Sequence, residues 1–431
     1  MRKINVKYKT NKMLIIWLIQ TGEPLPLDTS IKKMRTALLA DKLIARGHSV
    51  FWWTSAFNHL KKEWLFKKDT MLEINEGYKI FALKGSGYKK NISLSRFIDH
   101  RVIAWKFKKL ASKIPKPDII VTSMPPHDLA YEAVVFGKKN NIPVLVDIRD
   151  PWPDVFLNHM PKPLQKPLKA LLFKDFWLTK KNMQIADGLI AVTNTFLKWG
   201  LKYAGREKCL TDKLYYLGYK RPLVSDISKA KEKFSSMLKN LKDKFIVFFV
   251  GTISFYHNPS ILLKVAERLN NNNIHFVIAG DGELLGELKK ASRNLQNVTL
   301  TGWLNQDEIE FFLKQAEVGV CPTTSKIDLF PNKAFTYLSA GLPIVSAFQG
   351  DLKKTIEKYK IGYYYPPNDV DALLGCIMKL YNNPDLYNQM SENARKVFDE
   401  MFDAEKIYAE YAEHIERVVY EYKTYGKEVY N

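Results

Sequence analysis

A chain of 431 residues is longer than one hydrophobic core sustains, so two domains are the expectation. An apolar share of 46% excludes a disordered chain, and Cys209, Cys321 and Cys376, far apart and with no Cys/His cluster, exclude a disulfide framework or zinc site. The formal charge of +21 predicts attraction to a polyanion: nucleic acid, an anionic membrane surface or phosphorylated substrates.

After a basic tail (residues 1–12), "MLIIWLIQ" at Met13–Gln20 is too short to span a bilayer, which takes roughly 18 apolar residues. With a Gly/Pro loop and no small-residue cleavage site after it, it reads as a first buried strand and not as an export signal. Met34, Leu38, Leu39 and Ile44 then fall near helical spacing, and Gly47 punctuates before the strand "SVFWWTS". "DIIVTS" and "PVLVDIRD" are two more strands, separated by a helix around Ala130–Lys139. Continuous apolar strands alternating with helices predict a parallel sheet covered on both faces.

The pattern restarts with "FIVFFVGT", "HFVIAGDGE", "VTLTGW", "VGVCPTT", "LPIVSAF" and "GYYYPP". The expected architecture is α/β, two doubly wound Rossmann-like domains: residues 1–222, residues 223–395, and a helical segment 396–431 with the length to cross back to the first domain. Ligands of open α/β sheets sit beyond the strands' carboxyl ends, which places the expected site in a cleft between the two domains.

Chemistry concentrates in "FPNKAFTYLSAGLPIVS", Phe330–Ser346. Pro331 suits the first turn of a helix, the amides of Asn332, Lys333 and Ala334 would then be free, and the Lys333 ammonium adds to the helix dipole. This is the pattern of a phosphate site, unless the lysine is merely solvated. Gly341 ends the helix. Gly251 and Thr252 in "VGTISFYHNPS", and Gly280 and Gly282 in "AGDGEL", permit close approach of a ligand or serve plain tight turns. Gly302 and Trp303 stand at a strand end, where a base would be held. "DVD" at Asp369–Asp371 formally matches a paired-aspartate metal motif, but its place before an apolar helix makes Asn368 or Asp369 a helix cap.

Taken in order, "VGT", "AGDGE", "VTLTGWLNQDEI", "QAEVGVCPT", "FPNKAFTYLSAGLPIVS" and "IGYYYPPNDVDAL" resemble the retaining glycosyltransferases of family 4, which have the GT-B fold of two facing Rossmann-like domains. "TGEPLP" supplies the first loop, and "VDIRDPWPD" is similar to members that act on lipid-linked sugars. The resemblance implies a nucleotide-sugar donor, most plausibly UDP-linked, held by Gly22, Gly251, Thr252, Gly280, Gly282, Gly302, Trp303, Lys326, Pro331, Asn332 and Thr336. It implies no bound metal and no cofactor, the diphosphate being stabilised by the helix dipole and basic side chains. The family's pair of glutamates falls here on Asp328 and Thr336, and the basic residues of its Gly251 loop are absent, so Lys333, Lys326 and Asn332 would carry that charge. His127 follows a strand end where members place a histidine near the donor sugar; it is catalytic, with Asp328 and Lys333, or simply structural. Glu23, Arg35, Arg149 and Asp150 are the acceptor-binding candidates, although Arg149 and Asp150 also suit an internal ion pair.

The positive charge is interleaved with Leu, Phe and Trp in Asn158–Asn182 and Arg101–Lys116, which suits a helix lying in an anionic membrane surface, or one packed on its own domain. The expected protein is a cytoplasmic enzyme, peripheral on the inner face of the cell membrane, transferring a sugar with retention to a polyprenyl-diphosphate-linked saccharide in O-antigen or other surface-polysaccharide synthesis. The alternatives are a catalytically altered partner subunit, suggested by Thr336 and the Gly251 loop, and a nucleic-acid-binding protein, suggested by charge alone without a nucleic-acid module. A nicotinamide-dependent enzyme is disfavoured because no GxGxxG follows the first strand.

Overall fold

The computed structural model describes residues 12–27, 33–91, 93–158, 160–222, 226–270, 273–324 and 329–426. The chain divides into two compact units, one ending at Tyr216 and completed by the residues from Glu405 on, the other running from Leu217 to Ala404.

The strands of the first unit are β1 (Ile15–Ile19), β2 (Ser49–Ser55), β3 (Phe57–Asn58), β4 (Glu63–Trp64), β5 (Thr70–Asn75), β6 (Tyr78–Leu83), β7 (Ile119–Met124), β8 (Val144–Ile148), β9 (Gly188–Ala191) and β10 (Lys213–Leu214). Among the described residues, eight of them form one sheet in the order β10-β9-β8-β7-β1-β2-β6-β5, parallel except for β5, which runs antiparallel to β6. β3 and β4 pair antiparallel beside it. The central strands are buried on both faces, as continuous apolar runs require. β5 alternates between half-buried and exposed positions, the period-two signature of an edge with one wet face. Trp17 stacks on Phe136, Trp53 on Phe81, and Phe107 meets both tryptophans edge-on, so indoles and phenyl rings fill much of this core.

The second unit holds β11 (Phe245–Val250), β12 (Ile274–Ala279), β13 (Val298–Gly302), β14 (Val318–Cys321), β15 (Ile344–Ser346) and β16 (Gly362–Tyr364). They form an all-parallel sheet in the order β13-β12-β11-β14-β15-β16. The order reverses about β11, making its carboxyl end the topological switch point of this sheet. The helical segment expected from residue 396 on is interrupted: a π-turn at Phe398–Phe402 separates the helix Pro384–Val397 from the helix Ala404–Tyr425. Phe402 is anchored there between Phe330 and Phe335, with ring centroids 5.1 and 5.2 Å away. Among the described residues no helix is long and apolar enough to cross a membrane.

Candidate active site

In the second unit, three loops meet at the carboxyl ends of β11, β12 and β13. The Gly251 amide donates to the Ala279 carbonyl (3.0 Å), that of Ile253 to Asp281 (2.9 Å) and that of Gly280 to Gly302 (2.8 Å). The glycines make this stitching possible. A Cβ on Gly280 would lie 1.8 Å from the Gly251 carbonyl oxygen, and one on Gly282 would lie 2.2 Å from that of Ile253. Sequence reasoning offers these two glycines to a ligand; the structure gives them a neighbouring loop instead. Gly251 is different. A Cβ there would come within 3.1 Å of the Lys333 Cε and Nζ, so its missing side chain makes room for the ammonium.

Lys333 lies in the first turn of the helix Asn332–Ser339, which starts after Pro331. Pro331 is thus the residue before the helix and not part of its first turn, and the Ala334 amide already donates to its carbonyl (3.0 Å). The amides of Asn332 and Lys333 are left as the uncommitted donors of that turn among the described residues. Tyr337, which sequence reasoning passes over, seats this helix: its hydroxyl accepts from the Val250 amide at 2.9 Å, and Gly319 leaves space for its ring. Gly341, in the left-handed region, ends the helix as expected.

The Lys333 Nζ is buried, has no hydrogen-bond partner among the described residues and lies 4.0 Å from the centroid of the Phe249 ring. Burial brings its pKa down to about 8, with the Cys321 thiol pulling slightly the other way. That thiol is itself pushed up to about 12 by burial and is neutral. His257 is the second missed residue. Its Nδ1 is buried without a partner among the described residues, its ring stacks on Phe348, and burial together with the Lys333 charge holds its pKa at about 4. A buried, unpaired ammonium beside a helix start is costly by itself and becomes favourable when an anion meets it. Thr252 is exposed, Gly302 faces open space, and the Trp303 indole is 70% exposed, free to cover a flat ligand. Thr336 does not offer its hydroxyl to a ribose: it is 8% exposed and bonds back to the Asn332 carbonyl at 3.4 Å. Lys326 and Asp328 lie outside the described residues. Asp369 caps the following helix by accepting from the Ala372 amide at 2.9 Å, the role preferred for it over metal binding.

The first unit carries a separate polar site at the ends of β1, β7 and β8. Asp147 accepts from Arg35 (2.9 and 3.1 Å) and from Arg149 (2.8 Å). Arg149 continues to Glu23 (2.8 Å), whose other oxygen accepts from the Thr36 amide (2.8 Å) at the start of the helix Arg35–Ala45. Arg35 also donates to the Tyr215 and Tyr216 carbonyls and lies over the Tyr411 ring. With its side chain 1% exposed, Arg35 is a buried cross-link and not an acceptor contact; the helix turns it inward where the sequence pattern left its direction open. Glu23 is likewise committed internally.

His127 also points inward. It is 2% exposed, its Nε2 donates to the Trp152 carbonyl (3.1 Å), and burial lowers its pKa, so the ring is neutral and structural. The open space lies next to it: a cavity of about 160 Å³ bounded by Gly22, His59, Tyr88, Arg96, His100 and Asp150, with Arg149 at its wall. Gly22, assigned to the donor from sequence, lines this cavity in the first unit. Asp150 has solvent-accessible surface there, yet protein mass around it raises its pKa to about 6 against the pull of Arg96 and Arg149.

Two Rossmann-like α/β units, each built on a mainly parallel sheet, are the components of the GT-B class of fold, which solved structures of similar fold share. Residues 230–397, within the second unit, match the family described as Glycosyl transferases group 1. The chain is 32% identical over 184 residues to O-antigen chain mannosyltransferase C of Escherichia coli, across 42% of this chain and 48% of that protein. It is 31% identical over 174 residues to the Escherichia coli UDP-Gal:alpha-D-GlcNAc-diphosphoundecaprenol alpha-1,3-galactosyltransferase, covering 38% and 43%. It thus spans about half the length of the curated relatives it matches. HepE from Anabaena in complex with UDP superposes with a TM-score of 0.66 at 16% identity, covering 94% of this chain and all of that one. Sucrose-phosphate synthase from Thermosynechococcus elongatus gives 0.72 at 17%, covering 94% and 99%.

Proposed function

We propose that the protein is a glycosyltransferase that moves a sugar from a nucleoside-diphosphate donor, UDP-linked, to a lipid-linked saccharide in surface-polysaccharide synthesis. The observation that carries this reading is Lys333: a buried ammonium without a hydrogen-bond partner among the described residues, at a helix start, beside a glycine whose side chain would crowd it. A diphosphate placed there gains charge-assisted hydrogen bonds from the ammonium and the first helical amides, and as leaving group it is stabilised where its charge develops. Trp303, exposed just after the strand Val298–Gly302, would cover the base. The reaction proceeds with retention, needs no metal, and takes its acceptor from the inner face of the membrane.

The helix Lys162–Leu171 supports membrane contact. None of its residues is buried; Leu164 and Leu171 are exposed on a helix that also carries Lys162, Lys166 and Lys169, and Phe173 follows at 70% exposure. An amphipathic surface of this kind suits an anionic bilayer. The Thr336 back-bond favours, as a second reading, a partner subunit with altered catalysis. Titration of the purified chain with UDP and a panel of UDP- and GDP-sugars, followed by a transfer assay, decides between them. UDP binding lost in Lys333→Ala, with turnover in the unaltered chain, supports the enzyme; binding unaffected by that substitution refutes the phosphate-site assignment.

A further inference from the structure

The cavity of the first unit holds groups that the ion-pair lattice does not use. Arg96, in the first turn of the helix Leu94–Ala111, has its guanidinium 4.7 Å from the centroid of the Trp152 ring and 5.6 Å from that of Tyr88. One Nη donates to the Asn91 carbonyl at 2.8 Å, but the Nε is buried with no partner among the described residues. His100, one turn further on, is 6% exposed and makes no hydrogen bond among the described residues. The Asp150 carboxylate has neither a hydrogen bond nor an ion pair there. His59 is fixed to the Tyr88 hydroxyl at 2.6 Å, and Asp99 holds the preceding loop by accepting from the Gly87 amide at 2.7 Å. The walls are therefore rigid while their inward polar groups are open.

Charge decides what fits. Arg149 is already met by Asp147 and Glu23, each at 2.8 Å. Burial and the Arg96 charge keep His59 and His100 neutral at pH 7. What remains in the lining is one cation, Arg96, and one carboxylate, Asp150; the Lys62 ammonium, bonded to the His59 carbonyl and over the Tyr88 ring, is not part of the lining. A phosphate placed here would face that carboxylate, whereas a sugar ring presents hydroxyls that donate to Asp150, accept from Arg96 and exchange either way with His100. The volume, below the ~300 Å³ at which drug-sized pockets begin, suits one ring.

We infer that this cavity is a subsite for a neutral monosaccharide unit, read through its hydroxyls by Arg96, His100 and Asp150. The inference rests on the saccharide-acceptor reading above and narrows it: what the cavity recognises is the glycan, not the phosphate of the carrier.

The test uses the full chain without nucleotide. Saturation-transfer NMR is recorded with the methyl glycosides of mannose, galactose, glucose and N-acetylglucosamine, alone and with inorganic phosphate. The expected result is binding of at least one glycoside with a Kd of ~1 mM, unaffected by phosphate, and weakened by roughly tenfold in Asp150→Asn and Arg96→Ala. No glycoside binding, displacement by phosphate, or variants that bind like the parent each overturn it. Should Arg96→Ala fail to fold, Asp150→Asn, which is isosteric, carries the test. A UDP titration on the same samples separates the two ideas. UDP binding without glycoside binding removes the subsite alone; glycoside binding without UDP binding removes the nucleotide-sugar reading alone.

Discussion

The ammonium of Lys333 sits 4.0 Å from the centroid of the Phe249 ring, with no hydrogen-bond partner among the described residues. A ring face compensates part of the lost hydration of a cation but not all of it. The native state without ligand therefore holds a cost that a diphosphate would remove.

Replacing Lys333 with methionine should raise the stability of the ligand-free protein at pH 7, by up to about 3 kcal/mol from the depression of the lysine pKa. The same change should abolish UDP binding. Urea denaturation with and without UDP measures both, and a variant less stable than the parent would show that the ammonium is already compensated.

The pH dependence follows the same sign. The folded pKa is about 8 against a reference of 10.5, so between those values the unfolded chain holds a proton that the folded chain has released. Ligand-free stability from this group should rise with pH through that window, and UDP affinity should fall as the ammonium is lost above pH 8. In melting curves at pH 7, 8 and 9 the shift produced by UDP should shrink as pH rises, the curves with and without ligand converging.

Gly280→Ala should destabilise the second unit by more than ~2 kcal/mol, because the added methyl collides with the rigid backbone of Gly251. Gly302→Ala meets open space and should cost only the ~1 kcal/mol of a left-handed non-glycine residue. Equal losses in urea melts of the two variants would contradict the loop stitching.

Arg35→Met leaves Asp147 with Arg149 but strips half of its buried compensation, and a loss of about 3 kcal/mol is expected. A transfer assay run below the melting point should show little change in acceptor KM, unlike the same assay on Asp150→Asn.

Serine at Leu171 and Phe173 should weaken binding to vesicles containing anionic lipid several-fold without lowering the melting temperature, since neither side chain is buried. Flotation of the double variant with the vesicles at parental levels would remove this helix as a membrane contact.

The strands that frame both sites were legible because buried parallel strands are continuous apolar runs: Ser49–Ser55 and the six strands from Phe245 to Tyr364 stand where their patterns put them. The hairpin Thr70–Leu83 was not anticipated, since an edge strand carries a weaker alternating signal. Lys333 was found from its local frame of proline, helix and glycine. Arg35, Glu23 and His127 were misdirected because a chain pattern gives position along an element but not which way a side chain turns in the folded sheet. Arg96, His100 and His59 escaped for the opposite reason: they lie on a helix and a short-stranded excursion without any motif, and only tertiary packing brings them to Asp150.

The first unit is closed by Glu416, which binds both Arg46 and His48, and by Tyr411 stacked on Tyr215. During synthesis these partners emerge only after the whole of Leu217–Ala404 has been made. The unit begun first is therefore completed last: its outer latch is absent until the segment from Glu405 on has been made, by which time all of Leu217–Ala404 already exists.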